Sequence, residues 1–166
     1  MQRKSFRHMA CPIARSLDQV GEWWSILILR DAFYGATRFD EFQKGLDIAP
    51  NMLTRRLKAL VEGGMLERRR YSERPPRDEY LLTGRGRDFQ PVLQTLLAWG
   101  NRHLAPEGPS IVYAHTETGV AADPVVTDRI SGLPMDSGFE PMAGPAATEA
   151  VIRKIAGRRA TKERQG

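Results

Sequence analysis

Two glycines side by side, Gly63-Gly64, and two prolines side by side a short way on, Pro75-Pro76, limit what the chain can form between Leu46 and Tyr80. Neither pair belongs inside a helix, so a helix arriving from the N-terminal side ends at the glycines, and the prolines require an extended turn. Upstream, residues 50–62 read PNMLTRRLKALVE. Pro50 suits a first helical turn, where its missing N–H has no intrahelical acceptor to lose. At 100° per residue Leu53, Leu57, Leu60 and Val61 fall on one stripe, while Asn51, Thr54, Arg55, Lys58 and Glu62 fall opposite. The spacing therefore predicts a helix over 50–62 with one face for a core and the other left for a partner.

Downstream, Met65 to Tyr71 (MLERRRY) and Asp78 to Leu82 (DEYLL) are strand-length pieces, joined by Ser72 to Arg77 (SERPPR) as an extended turn. The pieces predict a β-hairpin carrying Arg68, Arg69, Arg70, Arg74 and Arg77 on or near its tip. Helix, tight break and basic hairpin in this order describe a winged helix with the hairpin as its wing. An α-helix fits the major groove of B-DNA, and exposed Asn, Thr and Arg are the donors and acceptors that base edges and phosphates require. Asn51, Thr54, Arg55 and Lys58 are thus the expected groove-facing residues, and Arg74 and Arg77 the expected contacts to phosphates or the minor groove. Arg56 lies on the helix flank nearer Leu53, where it can serve the DNA or bridge to its own fold. The rival reading from another class is a winged-helix protein–protein module that does not bind DNA.

Charge is distributed unevenly. Residues 1–104 hold 18 Lys/Arg against 12 Asp/Glu, residues 105–149 hold 1 against 7, and residues 150–166 hold 6 against 1, giving +6, −6 and +5 and the total of +5. A basic body favours a polyanion, with affinity that falls steeply with salt, and the acidic middle belongs away from it. No run of 18 apolar residues exists, and MQRKSFRHM has no apolar stretch behind it. Neither a membrane span nor a signal peptide is expected, and the expected compartment is the cytoplasm.

Before the central stretch, Ile13 to Val20 predicts a short helix with Ile13, Leu17 and Val20 as its stripe. Glu22 to Phe33 is apolar enough to be a central buried helix, with Trp24, Ile28 and Ala32 aligned and Trp23 open to two readings, core or ligand pocket. Thr37 is the expected N-cap of a helix over 38–45, in which Phe39 and Phe42 face the core. That helix would be the positioning helix of a helix-turn-helix, with 46–49 as the turn and Arg38 within reach of a phosphate, or else simply solvated. After the wing, Thr83 can cap one helix running from about Gly84 to His103, apolar on more than one face: Phe89, Leu93, Leu96, Leu97 and Gly100 on one stripe, Val92 and Trp99 on another. Such a helix wants two partners, one of which can be a second subunit.

Ala105 to Pro109 reads as a linker, and SIVYAHTETG, PVVTDRISGLPMD and GFEPM read as short β-rich pieces of a small appendage. The expected domains are 1–104 for DNA binding and dimerisation, 105–147 for the β-rich extension and 148–166 for a basic tail with a helix around 150–158. An enzyme finds no footing. His8, His103 and His115 are scattered, no Gly-rich phosphate loop or nucleophile elbow occurs, and a lone cysteine cannot build a cysteine-rich metal site. No cofactor or metal is expected.

The residues also resemble a family. Cys11-Pro12, Gly21 with Trp24, Arg38-Phe39 with Phe42, Leu53-Thr54 with Arg56-Leu57, and Pro75-Pro76 before Glu79-Tyr80 are together similar to the HxlR-type winged-helix transcription regulators, relatives of the MarR group, over about residues 9 to 104. The chain departs from the family pattern at Trp23, where lysine is usual, and at Ala49, where a capping serine is usual. The resemblance implies a homodimeric DNA-binding regulator, by default a repressor on a palindromic operator, with the N-terminal and final helices forming the dimer. It also implies a candidate oxidant- or electrophile-sensing role for Cys11, with Arg7, His8 and Arg15 near enough in sequence to favour a thiolate; the other reading of Cys11 is a small packed hydrophobe. Some relatives carry cysteine pairs in their extensions; residues 105–147 have none, so no metal is transferred.

Overall fold

A computed structural model describes residues 5–136 and 138–163. In chain order the elements are α1 (Pro12–Val20), α2 (Trp23–Phe33), α3 (Phe39–Leu46), α4 (Pro50–Glu62), β1 (Leu66–Glu73), β2 (Pro76–Leu82), α5 (Gly84–Arg87), α6 (Gln90–His103) and α7 (Glu149–Glu163). The chain divides into two compact units, one of residues 16–124 and one drawn from 1–15 and 125–166. Residues 105–124, expected to open the extension, group with the larger unit.

The core of the larger unit forms where α2, α3 and α4 converge. Ile28, Leu29, Phe42, Leu53, Leu57, Leu60 and Leu66 are its most completely buried side chains. Each such burial is worth about 1.5–3 kcal/mol, and together they fix α4 by its apolar face. Gly64 ends α4 at φ +68°, a conformation that glycine adopts without the steric cost a side chain brings. From there the chain enters β1, antiparallel to β2 with Leu66 opposite Leu82 at the base. Thr83 locks that base: its hydroxyl donates to the Gly64 carbonyl at 2.6 Å and accepts the Gly86 N–H at 3.0 Å.

Several expectations need correction. The wing is longer than expected, since Ser72 pairs with Arg77 and Glu73 with Pro76, so most of the supposed loop is strand. The ladder tolerates Pro76 because this two-stranded sheet has only edges, where a missing N–H need not break a pair. Thr37 does not cap α3. Arg38 is its N-cap residue, and the Glu41 carboxylate accepts the Thr37 and Arg38 N–H groups at 2.8 and 2.9 Å. The single helix expected from Gly84 to His103 is two, α5 and α6, with Pro91 in the first turn of the second. The extension is not β-rich. Among the described residues of 105–147 there is no strand, only isolated bridges between Ala114 and Ala121 and between Thr127 and Pro134. Alternating residues make a sheet only when one face is buried, and Val120, Val125 and Ile130 are 65%, 66% and 95% exposed. The helix expected around 150–158 runs further, over Glu149–Glu163; residues 164–166 of the basic tail lie outside the described residues.

Candidate nucleic-acid interface

Because α4 buries Leu53, Leu57 and Leu60, its opposite side is turned outward, and Asn51, Thr54, Arg55 and Lys58 are all exposed. The Thr54 hydroxyl donates back to the Pro50 carbonyl at 2.9 Å, while the side chain stays exposed. Arg55 lies against Met52, with its guanidinium 3.5 Å from the sulfur. Lys58 and Glu62 are a loose i,i+4 pair at 3.8 Å in full solvent, an arrangement that constrains the ammonium little.

Arg56, next in sequence to Arg55, goes the other way. Its side chain is 10% exposed and its guanidinium donates to the Glu22 carboxylate at 2.6 Å, tying α4 to the residue that precedes α2. The ambiguity left by the sequence is resolved toward the fold.

The wing arginines divide in the same manner. Arg68 pairs with Asp78, Arg69 with Glu79 at 2.8 Å, and Arg70 with Asp78 at 3.3 Å and Glu73 at 3.7 Å. The Arg68 guanidinium is the main reason the Asp78 carboxyl is held below the usual carboxylate range. Arg74 and Arg77, nearest the turn, have no acidic partner among the described residues and are exposed. Five wing arginines thus present two uncommitted cations, at the tip.

Arg38 joins the wing to the positioning helix. It forms an antiparallel bridge with Glu79, the Tyr80 N–H donates to the Thr37 carbonyl at 2.7 Å, and the guanidinium lies over the Tyr71 ring at 4.8 Å. Tyr71 faces no partner residue in the ladder, which shifts register between Arg70 and Ser72, so its ring is free to turn toward Arg38. Arg38, Tyr71 and Arg77 line one open cleft of about 420 Å³ beside the wing. The sequence offered no sign of this role for Tyr71.

Cys11 is exposed, and the Arg15 guanidinium, a neighbour expected to favour its thiolate, donates through Nε to the Met9 carbonyl at 2.6 Å. Trp23 is 73% exposed and does not line the apolar cavity that α2 helps to form. No group of three or more metal-ligating side chains occurs among the described residues.

A helix-turn-helix whose second helix shows its polar side, followed by a two-stranded wing with cations at its tip, defines the winged helix-turn-helix class of DNA-binding proteins. Within that class the chain belongs to the HxlR-like helix-turn-helix family, whose model matches residues 19–108. It is 44% identical over 113 residues to the uncharacterized HTH-type transcriptional regulator Rv3095 of Mycobacterium tuberculosis, 68% of this chain and 72% of that one. Among solved structures it resembles PA1374 of Pseudomonas aeruginosa, titled a candidate transcription factor, at 51% identity and a TM-score of 0.63, covering 87% of this chain and 99% of that one. It also resembles the redox regulator HypR in its oxidized form, at 33% identity and a TM-score of 0.52, over 56% of this chain and 97% of that one. The protein is an HxlR-type transcriptional regulator that binds DNA.

Proposed function

We propose that the protein is a homodimeric, cytoplasmic repressor that places α4 of each subunit in the major groove of one half of a palindromic operator. Asn51 and Arg55 read base edges, the Thr54 methyl meets thymine, and Lys58 and Arg38 take phosphates. Arg74 and Arg77 take the flanking backbone or the minor groove. The reading rests on one observation: the polar side of α4 is bare while the only wing cations without acidic partners among the described residues are at the wing's tip. Support for the dimer comes from α6, whose Val92, Leu96 and Trp99 are 52%, 47% and 50% exposed and share one stripe with His103. Uncovered apolar stripes of this kind mark subunit contacts. No helix among the described residues is long and apolar enough to cross a membrane.

Fluorescence anisotropy with labelled genomic duplexes at 50 and 200 mM salt tests the proposal. Six to ten phosphate contacts lower affinity by about 10³–10⁵ over that range. Binding that ignores salt, or a sedimentation mass of one chain on the operator, overturns it; the first result favours a protein-binding module.

A further inference from the structure

A second apolar stripe of α6 has a different fate. Leu93, Leu97, Gly100 and Leu104 lie roughly 100° around the helix from Val92, Trp99 and His103, and together with Leu96, which falls between the two stripes, they line a cavity beside α2. Between α2, α6 and residues 105–113 lies a cavity of about 340 Å³, open on one side. Leu27 and Phe33 form the α2 wall, and the chain after α6 forms the third wall, held there by the Asn101 amide donating to the Ile111 carbonyl at 2.9 Å.

Gly100 is the telling residue. Glycine is among the least favourable residues in a helix interior, after proline, so its presence in the last turns of α6 needs a reason. Close packing is the usual one, and within the chain it does not apply: a Cβ at Gly100 would meet none of the chain's own atoms within 4 Å. The glycine leaves room in the cavity wall.

The lining also indicates what fits. Its one cation, Arg30, is paired with Asp31 at 2.7 Å, and its one anion, Glu107, is exposed to solvent, where water screens its charge, so the lining is dominated by apolar and neutral polar groups. Tyr34, Asn101, Ser110 and Tyr113 offer hydrogen bonds, and the Tyr113 phenol is pushed up by burial and by the nearby Tyr34. An apolar pocket between helices with a few convergent polar groups, at the small end of the range for organic ligands, has the composition of a small-molecule site.

We infer that this cavity binds one small, neutral, mainly apolar molecule bearing a hydrogen-bonding group, with Gly100 providing the space. The site does not depend on the DNA reading; its effect on DNA does. That effect has a physical route, because α2 lines the cavity with its C-terminal half, while Glu22, just before its first turn, holds Arg56 of α4.

The test uses the full chain and the neutral fluorophore 1-N-phenylnaphthylamine. Expected is saturable, blue-shifted emission at one probe per chain. Gly100→Leu weakens probe binding at least tenfold, Gly100→Ala weakens it less and raises Tm, and Thr95→Ala, on the exposed side of α6 away from the cavity lining, leaves it unchanged. If Gly100→Leu fails to fold, Gly100→Ala with Thr95→Ala still decides. Absence of saturable binding, equal binding by the Gly100 variants, or a changed sedimentation mass in Gly100→Ala overturns the inference, the last because a second copy would then occupy the groove. Anisotropy of a labelled operator with and without probe is read separately. A null result there removes only the link to DNA, and failure of operator binding without probe concerns the function proposed above, not the cavity.

Discussion

Replacing Arg55 and Arg56 by alanine, one at a time, should separate DNA contact from fold maintenance at adjacent positions. Arg56 has a 10% exposed side chain and its guanidinium is 2.6 Å from the Glu22 carboxylate, itself 32% exposed. Removing one partner of a fully buried pair costs about 3–5 kcal/mol, and because water reaches Glu22 the loss here should be nearer about 2–3 kcal/mol. At roughly 2–4 °C per kcal/mol for a chain of this length, Arg56→Ala should lower Tm by about 4–12 °C. Arg55 is exposed and leans only on Met52, so Arg55→Ala should change stability by less than about 0.5 kcal/mol. On the operator the order reverses. A base-reading arginine is worth about 1–3 kcal/mol, or roughly 5- to 150-fold in Kd, whereas Arg56→Ala, assayed well below its Tm, should bind within a few-fold of the parent. Urea midpoints and operator anisotropy on both variants decide the matter. If Arg55→Ala is the less stable protein, or Arg56→Ala loses affinity while keeping its Tm, the assignment of the two faces of α4 is wrong.

The wing should show the same division: Arg74→Ala and Arg77→Ala should each reduce the salt slope of DNA binding by about 1, while Arg68→Ala and Arg69→Ala, whose charges face Asp78 and Glu79, should change it far less. Glu41 is held below the usual carboxylate range by the Thr37 and Arg38 N–H groups. Its contribution is therefore complete above the ordinary value of 4.5 and is lost as pH falls through the lowered one; Glu41→Gln should cost about 0.5 kcal/mol near neutrality and flatten the acid limb of an unfolding titration. Diamide should lower operator affinity in the parent and leave Cys11→Ser unaffected, and an equal response in both would remove Cys11 from any regulatory role.

The residues that proved legible in the sequence act over one helical turn, and those that did not act across the fold. Pro50 and Gly63-Gly64 set both ends of α4 through their own backbones, so the helix bounds and the division into buried and bare faces follow from spacing alone. Pro91 carries the same kind of local signal, yet residues 84–103 read as one helix because the apolar stripe continues across the break between α5 and α6. In residues 110–136 the alternation of valines and isoleucines is a local signal too, but a strand needs a neighbour and a face to bury, and those are supplied by topology. Arg56 makes the point most sharply. Its wheel position put it on a flank, and only the folded chain brings Glu22, thirty-four residues away, to meet it. The count of arginines therefore overstates what DNA meets: Arg56, Arg68, Arg69 and Arg70 are committed to carboxylates, whereas Arg55 and Lys58 on α4 and Arg74 and Arg77 at the wing tip are exposed.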